Sequence, residues 1–336
     1  MIQHNGKLVL GVDMGNYNMK TAHNCFPSAY MELAGDGNNY RHTLRCGGKV
    51  YALGGKRVAQ RDDKASMNDD FLILTQFAIA MELEACRLGA GTYDISLATA
   101  LPPAYLTSRE MRSNLKQFFR RQMDFRYNGR RYRVNISKVY VCPQGIAAAY
   151  AGVRTEEMER RNTTFASPME LLSKEAISVL VDIGGGTVDP VVLKYGLPQP
   201  IEDENPARGI IWTYSNIRRD IKAKTGQDIS EEAVNMVLNG EPVRMDGASL
   251  EIIRDHMDSY ANRLLMELRE KGLPFSTAYT IVQGGGAGFV RSQWKRLDTF
   301  AALDFLPEIR ATAMGCEVMA RRMMLREEQK AEKRVS

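Results

Sequence analysis

The chain has 336 residues, 44% of them hydrophobic and 25% charged, with 28 Gly and 12 Pro, which excludes a disordered or fibrous chain and leaves room for two separate cores. Its 45 Lys and Arg exceed its 40 Asp and Glu too narrowly to argue for nucleic acid, and part of that excess is local to 321–336. The first residues lack a basic segment followed by a long apolar one, and the greasiest stretch, 71–81, is interrupted by Thr75 and Gln76, so a cytoplasmic protein with no membrane span is expected.

The first predicted element is the aliphatic strand Lys7-Leu-Val-Leu-Gly-Val-Asp13, which ends in Asp13-Met-Gly15. Asn68-Asp69-Asp70 then caps a helix over 71–88 with apolar positions 71, 74, 78, 81 and 85, and Gly89 stops it. This helix is expected to pack on the first sheet. A buried strand over 93–100 is ended by Pro102 and Pro103, and a helix over 108–121 follows. Asn128-Gly129 between two alternating runs predicts a hairpin. Arg126, Arg130, Arg131 and Arg133 interleave there with Phe125, Tyr127 and Tyr132, a pattern that single-stranded nucleic acid could use. A hairpin with one buried face demands the same alternation, and that reading is preferred. The charged end from Arg321 onward reads as a solvated helix end. The five cysteines, Cys25, Cys46, Cys86, Cys142 and Cys316, form no CxxC pair and have no histidine at ligand spacing; they are expected to be reduced, buried thiols outside any disulfide framework or zinc site.

A second strand, Ile177-Ser-Val-Leu-Val-Asp182, repeats the first and ends in Asp182-Ile-Gly184. The two aspartates stand almost half the chain apart, which predicts a duplicated architecture whose halves open with the same strand and turn. In the first turn, Asp13-Met-Gly15-Asn16-Tyr17-Asn18-Met-Lys20 offers a carboxylate, amides and a cation, the parts a phosphate chain and a hydrated Mg²⁺ need. In the second, Gly184, Gly185 and Gly186 lack every Cβ, so the backbone can approach a terminal phosphate, and Thr187 adds a hydroxyl. A third cluster, Gln283-Gly284-Gly285-Gly286-Ala-Gly288, again follows a strand and suits a flat base or ribose. No GxGxxG and no GK[ST] accompany it, so Rossmann and P-loop folds lose support.

Together with Val141-Cys-Pro143-Gln144-Gly-Ile-Ala-Ala148 and Ala311-Thr-Ala-Met-Gly315, these segments resemble, in family order, the five nucleotide-binding segments of the actin, sugar-kinase and heat-shock-chaperone ATPase superfamily. Asn18-x-Lys20, Phe26-Pro27-Ser28, Leu101-Pro102 and Pro143-Gln144-Gly145 are most similar to the bacterial actin-like plasmid-segregation ATPases of the ParM type. The resemblance implies an α/β fold of duplicated actin-like (ribonuclease H-like) domains around a nucleotide cleft, with 1–155 plus 310–336 as one domain and 156–309 as the other. It also implies ATP or ADP, with GTP open, and Mg²⁺ held by Asp13 and Asp182. Asn16 to Asn18 and Gly184 to Thr187 would wrap the phosphates, and Gly284 to Gly286 would face the adenosine. The helix around 213–224 looks like the actin helix beside adenine and ribose, with Arg219 and Lys222 as contacts or simply as exposed basic positions.

Gln144 would position the attacking water, assisted by Asp182. Many ParM-type sequences have Glu there; Gln is the choice of actin and orients water without acting as a strong base. The implied function is a filament that assembles with ATP and disassembles after hydrolysis, moving plasmid DNA through a separate DNA-binding adaptor, so that direct nucleic acid binding is not required. The rival is a small-molecule kinase of the same superfamily, with the 68–70 acidic segment as the nearest candidate base. A chaperone is disfavoured because only about twenty residues follow the last nucleotide segment, too few for a peptide-binding domain.

Overall fold

The computed structural model describes residues 1–58, 68–201, 207–238 and 240–335. They form two compact units, Met1–Val153 with Arg310–Ser336, and Arg154–Ile309.

In the first unit, the strand Lys7–Met14 pairs antiparallel with Asn18–Lys20, which pairs antiparallel with Cys25–Pro27. On its other side it runs parallel to Gly91–Leu101, itself parallel to Arg130–Pro143. In the second unit, Ser178–Ile183 pairs antiparallel with Thr187–Lys194, which pairs with Leu197–Gln199. It runs parallel to Tyr279–Gln283, and that strand to Ala302–Phe305. The two five-strand arrangements have the same order and the same senses. This is the duplication that the paired Asp-x-Gly strands predicted. The first sheet then continues through Gln122–Tyr127, Thr43–Cys46, Lys49–Arg57 and Ala29–Leu33, which the second sheet lacks.

Side chains alternate across a strand, so Leu10, Val12 and Met14 enter one core with Phe71, Leu74 and Phe77, while Val9 enters another with Cys316, Ala320 and Met324. The central strands are thus buried on both faces, as their unbroken aliphatic runs require. The helix Asp69–Ala85 covers one face of the first sheet, capped by Asn68, whose side chain accepts from the Phe71 amide. It stops at Ala85, short of the expected 88, and Ala85 is exposed. Glu82 and Leu83 are buried instead, because the helix is enclosed on more than one side. The helix Arg109–Phe119 is capped by Ser108.

The hairpin forms with Tyr127 opposite Arg130, leaving Asn128 and Gly129 as a two-residue turn with φ of 47° and 77°. Phe125, Tyr127 and Tyr132 are buried while Arg126, Arg130, Arg131 and Arg133 are exposed, so the alternation serves a half-buried sheet. The last helix, Ala311–Val335, is largely exposed beyond Met324, consistent with a solvated end. The thiols are free, but only Cys142 and Cys316 are buried; Cys46 and Cys86 are half-buried and Cys25 is exposed, which corrects the expectation of five buried thiols. Cys25 lies on the short outer strand Cys25–Pro27, whose alternate side chains face out. Among the described residues no helix is long and apolar enough to cross a membrane.

Candidate functional site

In each unit the singled-out aspartates and glycine turns gather at the carboxyl ends of the parallel strands, where open α/β sheets bind ligands. In the first unit Asp13 closes its strand opposite Lys20, whose Nζ donates to Asp13 Oδ2 at 2.9 Å. Both side chains are largely buried, so Lys20, expected from the sequence to meet phosphate, is here held against the Asp13 carboxylate. The Gly15 carbonyl accepts from Ser28 Oγ at 2.5 Å, and the Tyr17 carbonyl accepts from the Ser28 amide at 3.0 Å. The Arg57 guanidinium also donates to the Tyr17 carbonyl and lies 3.7 Å from the Tyr17 ring centroid. These bonds fix the loop from outside and use its carbonyls. Asn16 Oδ1 is buried without a hydrogen-bond partner, a polar atom that a bound group would satisfy. Asn18 begins the return strand.

Gln144 follows the third parallel strand, and its amide donates to the Leu101 carbonyl at 2.7 Å. Gly145, at φ of 79°, turns the chain into the short helix Ile146–Ala149. Gln144 therefore shares its strand end with Asp13, one strand intervening. Ala311-Thr-Ala-Met-Gly315 opens the long last helix, and an added Cβ on Gly315 would lie 1.6 Å from the Ala147 carbonyl oxygen. That segment packs helix on helix.

In the second unit Asp182 is buried, with Asp189 opposite it on one neighbouring strand and Gln283 on the other. Thr187 Oγ1 donates to Asp189 Oδ2 at 3.0 Å, which orients the hydroxyl singled out from the sequence. Asp189 is a site residue that the sequence reading passed over; its position opposite Asp182 follows from counting the hairpin register outward from the glycine turn. The carbonyls of Gly184, Gly185 and Gly186 accept from the amides of Ile210, Ile211 and Gly209 at 3.3, 3.0 and 3.0 Å. A Cβ on Gly209 would stand 2.5 Å from the Gly184 and Gly185 oxygens. Gly209 thus lets the chain entering the helix Ile211–Thr225 press against the turn; the Gly184 amide donates to the Thr187 carbonyl at 2.9 Å, which corrects its expected place in the phosphate wrap, and the Gly185 and Gly186 amides are the ones to offer an anion.

Gly284 takes φ of 90° directly beneath Asp182, where a Cβ would lie 2.5 Å from Asp182 Oδ1. The Gly286 amide donates to the Ile183 carbonyl at 2.8 Å. Gly285 differs, since a Cβ there would meet nothing within 4 Å. Gly284, Gly285 and Gly288 line a hollow of about 110 Å³ with Asn235, Leu238 and Leu306. That is smaller than the roughly 300–1,000 Å³ that encloses a whole small ligand, and fits a fragment such as a ring system. Arg219 and Lys222 lie on the exposed face of the helix Ile211–Thr225, paired with Asp220 at 3.0 Å and Asp228 at 2.9 Å. The structure does not bring them to the glycine hollow's lining. The carboxylates of Asp182 and Asp189, with Thr187, form an all-oxygen donor set, the chemistry that suits Mg²⁺.

Residues 11–146 match the family model described as actin like proteins N terminal domain. No curated protein sequence matches the chain. Among solved structures, it resembles Ta0583, an archaeal actin homolog, in complex with ADP, at 17% identity and a TM-score of 0.65, with 94% of this chain and 99% of that one covered. It resembles Bacillus thuringiensis ParM with ATP at 15% identity and a TM-score of 0.64, covering 95% and 99%. The Alp12 filament structure is similar at 14% identity and a TM-score of 0.63, covering 95% and 99%.

Proposed function

Because this chain has the actin-like fold of the ParM-type proteins, and its residues 11–146 match the actin-like N-terminal domain, we propose that it binds and hydrolyses ATP and assembles into a filament. The observation that carries the reading is the repeated device. Two units that share one five-strand arrangement each carry, at the end of its central strand, Lys7–Met14 or Ser178–Ile183, a buried aspartate followed by a glycine turn. The neighbours described with ADP, with ATP and as a filament support it by fold.

In this reading Asp13 and Asp182 hold hydrated Mg²⁺, which screens phosphate charge. Lys20 leaves Asp13 for a phosphate oxygen. The amides of Gly15 to Asn18 and of Gly185 and Gly186, with Thr187, bind the phosphates, Gly284 to Gly286 face the nucleoside, and Arg219 and Lys222 flank it. Gln144 orients the attacking water. Nucleotide state then biases one inter-subunit contact, and a heterologous contact that does not close gives a filament. A cytoplasmic role in moving plasmid DNA through an adaptor completes the proposal, with GTP as the competing nucleotide.

The segment that the kinase reading would draw its base from is partly engaged in structure: Asp70 accepts from Tyr30 Oη at 2.6 Å and from Asn68 Nδ2 at 3.0 Å, and Asn68 caps the helix, which favours the capping role. Light scattering and electron microscopy after adding Mg-ATP, with phosphate release measured without any sugar, test the proposal. Filaments with acceptor-independent release are expected; transfer to an added acceptor without filaments would sink it.

Gly285→Ala supplies a sharper test of the nucleoside assignment. The new methyl meets open space in the protein, so unfolding should be unchanged, while a base or ribose against that backbone would be displaced. Nucleotide affinity should fall about tenfold, or roughly 1.4 kcal/mol, by fluorescent-nucleotide titration. An unaltered dissociation constant would remove this glycine from the site.

A further inference from the structure

The turn after Lys20 and the end of the helix Asp69–Ala85 bring three different donors together, although His23 and Cys86 lie far apart in sequence. His23 Nδ1 is 2.6 Å from Glu82 Oε1 and 4.0 Å from Cys86 Sγ, and Cys86 Sγ is 3.9 Å from Glu82 Oε1. We infer that His23, Glu82 and Cys86 form a site for one zinc-like divalent ion, separate from the nucleotide-associated Mg²⁺ and completed by water. Glu82 and Cys86 stand one helical turn apart, so both face the 21–24 turn.

Tetrahedral zinc, with bonds of about 2.0–2.3 Å, sets its donors roughly 3.3–3.7 Å apart. The two sulfur distances need only a slight contraction to reach that range. The short His23–Glu82 separation is that of a hydrogen bond, and it widens when an ion replaces the proton between them. Nitrogen, sulfur and one carboxylate oxygen form a borderline-soft set, which magnesium does not favour.

Glu82 is fully buried, which works to raise its pKa, yet hydrogen bonds from Thr21 and His23 and the charge of the Met1 amine hold it below the usual range. The ligand is therefore ionised. Thr21 Oγ1 at 2.6 Å, the His23 amide at 3.2 Å and Asn24 Nδ2 at 3.0 Å occupy Oε2 and aim the carboxylate; His23 Nδ1 and the Met1 amine, at 3.1 Å, use Oε1. Burial raises the Cys86 thiol pKa, so binding expels its proton. His23 would bind through Nδ1 as the neutral Nε2–H tautomer, its ring proton carried on the other nitrogen, and the one proton released, from the Cys86 thiol, passes to solvent. His23 is 53% exposed, which gives the ion a path in. Once bound, the ion would tie the turn leading out of Lys20 to the helix and stiffen the hairpin that carries Asp13.

The test is a titration of the chelator-stripped full chain with Co²⁺ in excess Mg²⁺. One Co²⁺ per chain with a thiolate-to-cobalt charge-transfer band is expected, bleached by Zn²⁺. The band should vanish in Cys86→Ser, and His23→Gln should weaken affinity at least about tenfold. Absence of the band, or its persistence in Cys86→Ser, would overturn the site, the latter by assigning it to Cys25 or Cys46. Zn²⁺ protection of Cys86 from alkylation, read by mass spectrometry on the unsubstituted chain, serves should Cys86→Ser fold poorly; equal labelling with and without Zn²⁺ would overturn it as well.

Discussion

Asp182→Ala is expected to abolish phosphate release, with a fall of roughly 10²–10⁴-fold, the range for removing a group that acts on the proton or charge of the reacting water. The residue ends the central strand of the second unit, is 5% exposed, and lies between Asp189 and Gln283 on adjacent strands. A carboxylate in such a position carries a cost of burial that a bound cation and its waters would relieve. Removing it deletes the proposed metal contact and the group proposed to assist Gln144. The main-chain ladder through residue 182 does not depend on its side chain, so circular dichroism should show a folded protein. Asp182→Asn keeps the shape without the charge and should be nearly as inactive. Phosphate release at the normal rate from either folded variant would overturn the assignment of Asp182. Gln144→Ala should lower the rate less, because that residue orients water without taking its proton.

Much of the site was legible because its signals are local. A strand that must be buried on both faces shows an uninterrupted aliphatic run, and the abrupt change to Asp-x-Gly marks its end, so Asp13 and Asp182 could be placed from the sequence. The Asn128-Gly129 hairpin was readable for the same reason. Features that depend on distant contacts were not. Nothing near Gly184 announces that Gly209, Ile210 and Ile211 will take the carbonyls of the turn, and the reading of three glycines as a phosphate loop therefore omitted half of what they do. Arg219 and Lys222 were read from position on a helix, which fixes a face but not the acidic neighbours Asp220 and Asp228 that occupy them. The helix Asp69–Ala85 was drawn with one apolar stripe, yet Thr75, Gln76 and Glu82 are buried as well. Two of those polar positions have partners: Thr75 Oγ1 donates to the Phe71 carbonyl at 2.6 Å, and Glu82 receives the 21–24 turn. A periodicity argument counts a polar residue as exposed and cannot see the bond that lets it go inside.

Gly315→Ala is the second substitution with a large expected effect, and here two physical terms have opposite signs. The position lies within the helix Ala311–Val335, where replacing Gly by Ala should stabilise by about 1 kcal/mol through helix propensity alone. The added Cβ, however, would fall 1.6 Å from the Ala147 carbonyl oxygen and 2.5 Å from its carbon. Those atoms belong to the backbone of the helix Ile146–Ala149 and cannot rotate away as a side-chain tip could. One helix must therefore retreat, which loosens Cys316, Ala320 and Met324 from Val9, Ala98, Tyr140 and Cys142. Overpacking with partial loss of this core should outweigh propensity and destabilise by at least about 3 kcal/mol in chemical unfolding. Gly152→Ala is the control, since its Cβ would meet nothing within 4 Å, and it should stay within about 0.5 kcal/mol of the parent. The same displacement reaches the candidate site, because the helix against which Gly315 packs begins one residue after Gly145 and two after Gln144. Under conditions where Gly315→Ala remains folded, phosphate release should also drop. A variant as stable and as active as the parent would mean that the close approach of Gly315 to Ala147 is not required.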